Sequence, residues 1–300
     1  MCTKHLPWCF LLAVAVFCAG SQSCDSKDKS DWSACTASCG GGLQTRRCSD
    51  TSIVARACNP QSCANSWNNI VKVPPPRGFW PLQSSTRGRD CSLHGNHAHV
   101  HGVSFHRESY DGAYSSAKFA GTAMSYLTIP NEGAKLETRS FTYVAFVRIF
   151  ADDTNNAGPL FNFQIEENDA FSKYGTHISL NGSNRLFVRL MIAQPYKFLG
   201  NFALPAFSAS TWVHAAVSYD YTTGLYHIYK NGVELGESYV GRYIHNTSGP
   251  VRIGARHASS GDARYFKGAM KCVQWFGEVL TAKQIQETMH ACDNPVPCSY

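Results

Sequence analysis

Residues 141–149 read FTYVAFVRI, a run in which apolar side chains fall on both faces of any extended strand. A strand with one wet face would alternate, so this run predicts a central strand of a sheet, packed above and below. Leu225–Lys230 (LYHIYK) followed by Asn231-Gly232 predicts a hairpin, because Asn-Gly accepts the two positive φ values of a type I′ turn. Outward from these, short apolar segments recur between clusters of turn residues. They predict strands at Gly78–Leu82, Lys118–Phe119, Tyr126–Ile129, Ser140–Ile149, Pro159–Ile165, Thr176–Leu180, Arg185–Ile192, Trp212–Tyr219, Leu225–Lys230, Val251–Ile253 and Lys271–Phe276. One helix-like stretch follows: Thr281 with Gln284 three residues on has the form of a capping box, with Ile285 and Met289 one turn apart on the buried face. The fold class expected is mainly β, an antiparallel β-sandwich with one short C-terminal helix.

The 300 residues are 44% apolar and 16% charged, with 27 Lys+Arg against 21 Asp+Glu. That apolar fraction excludes a disordered chain. The net charge of +6 is spread without a block of like charges, which argues against dedicated nucleic-acid binding. Beyond the N-terminus no apolar run approaches the roughly 20 residues of a membrane span, so membrane insertion is not expected.

Lys4 and His5 precede the apolar run LPWCFLLAVAVFCA (6–19), and small residues close it at Ala19, Gly20 and Ser21. A basic lead, a short apolar core and a small-residue exit predict a secretory signal over residues 1–20, hence a secreted, extracellular protein. Cleavage after Gly20 removes Cys2, Cys9 and Cys18 from the 13 cysteines. The even number left suits disulfides in an oxidising compartment. Six of them crowd residues 24–63, a segment too short to fold on an apolar core alone. Residues 64–77 carry Pro74-Pro75-Pro76 and predict a stiff linker. A long module at 78–292 and a tail at 293–300 complete the organisation.

In the first module Trp32, Leu43, Ile53 and Val54 are nearly the whole apolar content. Stacking of Arg46 or Arg47 on Trp32 would add about 0.5–2 kcal/mol per contact. The order Trp32-Ser33-Ala34-Cys35, Cys39-Gly40-Gly41-Gly42, Arg46 and Cys58-Asn59-Pro60-Gln61-Ser62-Cys63 resembles a thrombospondin type 1 repeat. The resemblance implies a small disulfide-rich, three-stranded ribbon with a ladder of tryptophan and arginine. It also implies the pairs Cys24–Cys48, Cys35–Cys58 and Cys39–Cys63, and an O-fucose acceptor at Ser38. From the residues alone the pairing of six cysteines stays open. Trp32, Arg46, Arg47 and Arg56 are the candidate glycosaminoglycan-binding residues; the alternative is that these arginines only hold the ladder together.

The second module resembles the laminin-G-like and pentraxin-like branch of the concanavalin-A-type jelly rolls. The resemblance rests on Gly78-Phe79-Trp80-Pro81-Leu82, Ala117–Gly121, Ser140-Phe141-Thr142, Trp212-Val213-His214, Leu225 through Asn231-Gly232, Val251–Gly254, and Phe266-Lys267-Gly268 leading into Leu280-Thr281 and Ile285. It implies two curved antiparallel sheets whose members mostly bind glycans, lipids or proteins at loop rims, often with calcium. Some relatives are glucanases, whose retaining chemistry needs paired carboxylates about 5 Å apart. The pattern that supplies them there is Glu-x-Asp-x-x-Glu. Here Glu167-Asn168-Asp169 is followed by Ala170, Phe171 and Ser172, so the third carboxylate is missing and no enzyme is expected.

Two metal sites are weighed. His97, His99 and His101 would share one face of an extended strand within the cluster His94, His97, His99, His101 and His106, and two imidazoles with a third ligand would suit zinc or copper. Asp152, Asp153 and Asn155, or alternatively Asp262, offer oxygen ligands for calcium at a loop rim. The alternative in both cases is a solvated surface. Cys272 with Cys292 would lock the helix, leaving Cys91 for Cys298, with Cys91–Cys272 as the rival pairing. Asn181-Gly182-Ser183 and Asn246-Thr247-Ser248 are N-glycosylation acceptors.

These features lead to the expectation of a secreted, non-enzymatic adhesion or recognition glycoprotein of the extracellular matrix. Its partners would be extracellular glycans, glycosaminoglycans, or matrix or cell-surface proteins, bound at the jelly-roll rim. Rivals are a soluble lectin of innate defence, a mineral-associated matrix protein and, lastly, a glycan-cleaving enzyme.

Overall fold

The computed structural model describes residues 32–35, 42–48, 53–58, 71–107, 115–150, 158–164, 174–192, 197–256, 264–292 and 298. The chain divides into two compact units, Met1–Ile70 and Val71–Tyr300. In the first, β1 (Gly42–Arg47) and β2 (Ile53–Cys58) pair antiparallel, Gly42 opposite Cys58 and Arg47 opposite Ile53. Cys35 is bonded to Cys58 with Cα atoms 6.0 Å apart. The guanidinium of Arg56 lies 4.2 Å, and that of Arg46 5.1 Å, from the centre of the Trp32 ring.

The second unit is a mainly β antiparallel sandwich with one short helix. Its strands are β3 (Gly78–Trp80), β4 (His99–His101), β5 (Ser104–Arg107), β6 (Ser115–Ala120), β7 (Tyr126–Ile129), β8 (Phe141–Ile149), β9 (Pro159–Gln164), β10 (Tyr174–Leu180), β11 (Arg185–Ile192), β12 (Lys197–Ala206), β13 (Val213–Asp220), β14 (Leu225–Lys230), β15 (Val233–Tyr239), β16 (Val251–Ile253) and β17 (Lys267–Phe276). One sheet runs β12-β11-β10-β9-β16-β7-β4; the other runs β15-β14-β13-β8-β17-β6-β5, with β3 also on β17. The run FTYVAFVRI is β8, flanked by β13 and β17, as its two apolar faces require.

The core between the sheets is aromatic. Trp275 stacks on Phe161 (5.4 Å between ring centres, 10°) and on Phe141 (4.7 Å, 17°), all fully buried. Its indole N–H donates to the Leu136 carbonyl at 2.9 Å, so a buried donor is satisfied. Each such side chain contributes about 1.5–3 kcal/mol of burial free energy. A second cluster lies on the outer side of the β8 sheet, where Val144, Ala216, Tyr229 and Phe276 meet Leu280 and Ile285 under α1 (Ala282–Thr288).

Thr281 caps α1 in a full capping box with Gln284. The buried helix face is Ile285 with Thr288 rather than Met289, because the helix ends at Thr288 and Met289 is its C-cap. The triproline stretch belongs to the second unit: Val73 packs on the outer cluster, the Gln284 amide donates to the Lys72 carbonyl at 2.9 Å, and Arg77 N–H donates to Trp275 O. Asn231 and Gly232 take φ values of 51° and 75° in the β14–β15 turn, the left-handed pair of a type I′ hairpin. Cys272, within β17, is bonded to Cys292 just beyond α1, and Cys91 to Cys298.

Candidate functional site

A single register line crosses all the strands of the β12–β4 sheet. His99 stands opposite Thr128, Thr128 opposite Arg252, Arg252 opposite Asn162, Asn162 opposite His177, His177 opposite Arg189 and Arg189 opposite Asn201. The residues next to them on each strand, such as Leu127, Val251, Ile253, Phe161, Phe163, Ile178 and Val188, form the core. Side chains alternate across a strand, so from His99 to Arg189 the polar line faces away from the core. With neighbouring strands about 4.8 Å apart, the six residues from His99 to Arg189 extend for about 24 Å.

The polar groups along this line are held by one another. Arg252 sits 3.6 Å from the centre of the Tyr126 ring and donates from Nη1 to Thr128 Oγ1 at 2.9 Å. His101 stacks on Tyr126, 4.5 Å between ring centres at 25°. Ser179 Oγ donates to Asn162 Oδ1 at 3.0 Å, and Arg256 Nη2 lies 3.3 Å from His177 Nδ1. A guanidinium only donates, so His177 accepts on Nδ1. Asn162 (3% exposed), His177 (4%), Arg252 (7%) and Arg256 (6%) are buried although they point away from the core. Burying polar groups costs free energy unless they are hydrogen-bonded, which makes a recessed polar strip of this kind a feature that packing alone does not explain.

Asn162, His177, Ser179, Phe187, Arg189 and Arg256 line a narrow, shallow hollow. Hydroxyl, amide and guanidinium donors beside ring faces are the groups that hold a hydroxylated or anionic ring ligand. No Asp or Glu stands among the described residues that line the hollow, so these residues do not provide the acid pair that glycoside hydrolysis uses.

The residues singled out from the sequence are placed as follows. His97, His99 and His101 do not converge on a metal: β4 starts only at His99, His97 Nδ1 accepts the Asp90 N–H at 3.1 Å, and the His101 ring is stacked on Tyr126. Instead His99 enters the polar line. Asp152, Asp153 and Asp262, the loop acids from Glu166 to Asp169, Ser38, Cys24, Cys39, Cys63 and the signal segment lie outside the described residues. Cys48 is disulfide-bonded. Arg56 Nε also donates to Gln44 Oε1 at 3.1 Å, so the Trp32 stack is tied into the ribbon.

Asn181 sits in a turn in which its Oδ1 accepts from Ser183 N (3.0 Å) and Arg185 N (3.1 Å). Asn246, by contrast, is buried at 5% exposure beside a wholly buried Thr247.

The family model described as the concanavalin A-like lectin/glucanases superfamily matches residues 121–286, more than half of the chain. No curated protein matches in sequence. Among solved structures, the chain is similar to the binding domain of Paraclostridial Mosquitocidal Protein 1 (TM-score 0.56, 13% identity, covering 72% of this chain and 52% of that one). It is also similar to domain 4 of AbnA, a GH43 extracellular arabinanase from Geobacillus stearothermophilus, in complex with arabinotriose (0.52, 15%, 72% and 99%). A third is the ligand-binding domain of Botulinum neurotoxin serotype D in complex with N-acetylneuraminic acid (0.54, 12%, 72% and 51%). The chain thus spans about half the length of the mosquitocidal and neurotoxin chains. At these identities the likeness is one of fold.

Proposed function

We propose that this chain, which belongs to the concanavalin A-like lectin/glucanases superfamily, is a secreted, non-catalytic glycan-recognition protein. Its ligand lies along the polar line of the seven-stranded sheet. The observation that carries the reading is the unbroken register of His99, Thr128, Arg252, Asn162, His177 and Arg189, recessed in part and edged by the Tyr126 and His101 rings. A strip about 24 Å long suits an extended saccharide better than a compact metabolite. Two of the similar solved structures hold a sugar, arabinotriose in one and N-acetylneuraminic acid in the other, which is consistent with this class of ligand.

Binding falls on the sheet face in this reading, rather than on the rim acids. The first unit, with Cys35–Cys58 and the Arg46–Trp32–Arg56 stack, is in this reading a thrombospondin-type ribbon that offers Arg46, Arg47 and Arg56 to sulfated chains. Adhesion to extracellular matrix glycans is the setting that a secreted protein of this composition fits.

The test is an array of neutral, sialylated and sulfated glycans probed with the mature protein, with calcium and with EDTA. Binding to a defined non-sulfated or sialylated chain that survives EDTA is expected. Binding confined to sulfated chains and abolished in Arg46→Ala/Arg56→Ala would move the activity to the first unit, and binding to no glycan would overturn the reading.

A further inference from the structure

We propose that His227, Glu234 and Glu237 form a binding site for a divalent metal ion of the zinc class, on the outer face of the eight-stranded sheet and independent of the glycan reading. On β14, Tyr226 and Ile228 enter the core, so His227 and Tyr229 project outward. On β15, Glu237 stands directly opposite His227 and Glu234 opposite Tyr229.

Glu234 and Glu237 are three residues apart, and in a regular strand they would lie on opposite faces. The pairing slips between Ile228 and Tyr229, with Gly236 opposite the one and Glu234 opposite the other. Leu235 is therefore the extra residue of a bulge, and it returns both carboxylates to the face of His227. His227 Nδ1 lies 2.8 Å from Glu234 Oε1 and 3.7 Å from Glu237 Oε2, and the three donor atoms all lie within 4.8 Å of one another. Ligands about 2.1 Å from a tetrahedral ion stand about 3.4 Å apart, so this donor set closes on zinc with small side-chain adjustments.

One carboxylate satisfies an ion pair with an imidazole; the bulge supplies a second to the same nitrogen. One nitrogen and two oxygens are the ligand types that zinc takes, in contrast to the all-oxygen shell of calcium. The side chains are 18%, 40% and 59% exposed, so the ion has an entry path and a position open to water or an outside ligand. A ligating imidazole nitrogen carries no proton, so the metal and a proton compete for Nδ1. The ion would clip the edge strand β15 to β14.

The full-length protein, freed of metal by a chelator, is titrated with Zn²⁺ by calorimetry and with Co²⁺ by visible absorption. The expected result is a site weakened by about tenfold or more in His227→Ala and in Glu234→Gln/Glu237→Gln, since even second-layer partners of a metal contribute that much. Glu237→Gln alone leaves the 2.8 Å His227–Glu234 pair in place and is expected to weaken it as well. His97→Ala/His99→Ala/His101→Ala is expected to keep the site. Equal affinity in the protein and in the Glu234→Gln/Glu237→Gln variant, or loss of the site in the triple His variant, would overturn the proposal.

Discussion

Arg252 holds its guanidinium 3.6 Å from the centre of the Tyr126 ring while its Nη1 donates to Thr128 Oγ1 across the strand pair. Stacking and hydrogen bonding at once need a flat, forked cation, which lysine does not offer. Arg252→Lys is therefore expected to leave the fold intact and to weaken glycan binding by about tenfold, or 1.4 kcal/mol. Calorimetric titration of the best ligand from the array checks it; an unchanged affinity would place the ligand elsewhere.

His214 and His245 make stability depend on acid. Burial lowers both from an ordinary value of 6.5 to about 4. The unfolded chain therefore takes up protons first as pH falls. Stability is fully present above about 6.5, declines through the window down to about 4, and changes no further below it through these groups; each costs on the order of 3 kcal/mol. His245 lies against Phe141 and Tyr219, so His245→Phe can keep its packing and is expected to flatten that decline. Urea unfolding at pH 7 and pH 4.5 measures it, and an unaltered difference between the two pH values would contradict it.

The Cys272–Cys292 bond spans 20 residues and ties the stretch after α1 to β17. Removing it as Cys272→Ala/Cys292→Ala is expected to lower stability by about 3 kcal/mol, the loop-closure cost for such a span. The loss should appear first as faster hydrogen exchange in α1, whose apolar contacts rest largely on Ile285 and Leu280. Uniform exchange across the sandwich would show instead that the helix is held by packing alone.

Glycan occupancy separates the two acceptor motifs. The protein from a secreting eukaryotic host is expected to lose the mass of one glycan in Asn181→Gln and none in Asn246→Gln, because only Asn181 lies in an open turn. Intact-mass spectrometry decides it.

The sandwich is legible in the sequence because its central elements are strongly patterned. Phe141–Ile149, the Asn231-Gly232 turn and the Thr281/Gln284 cap each carry a local signal that the structure realises. The edge strands β12 and β15 are weaker: β12 contains Gly200 and Pro205, and β15 reads VELGESY with almost every side chain exposed. The polar line left a trace that only pairing register makes readable. One polar residue stands inside each of several apolar strands, Arg252 in VRI, Asn162 in PLFNFQ and Arg189 in RLFVRLMI, and strand order brings them side by side. The histidines illustrate the converse. Their spacing along the chain predicts a shared face, which β4 realises for His99 and His101 but not for His97 ahead of it, and His227, far away in sequence, meets its carboxylates only through a bulge.

The most direct measurement compares one oligosaccharide's affinity, by calorimetry, for the protein, for Arg189→Ala/His99→Ala, and for Arg46→Ala/Arg56→Ala. Arg189 and His99 stand near opposite ends of the polar line and are not deeply buried, so their loss should spare the fold. If glycan recognition belongs to the seven-stranded sheet, the first variant loses about tenfold or more in affinity, roughly 1.4 kcal/mol, and the second binds as the protein does. Full affinity in Arg189→Ala/His99→Ala would contradict it.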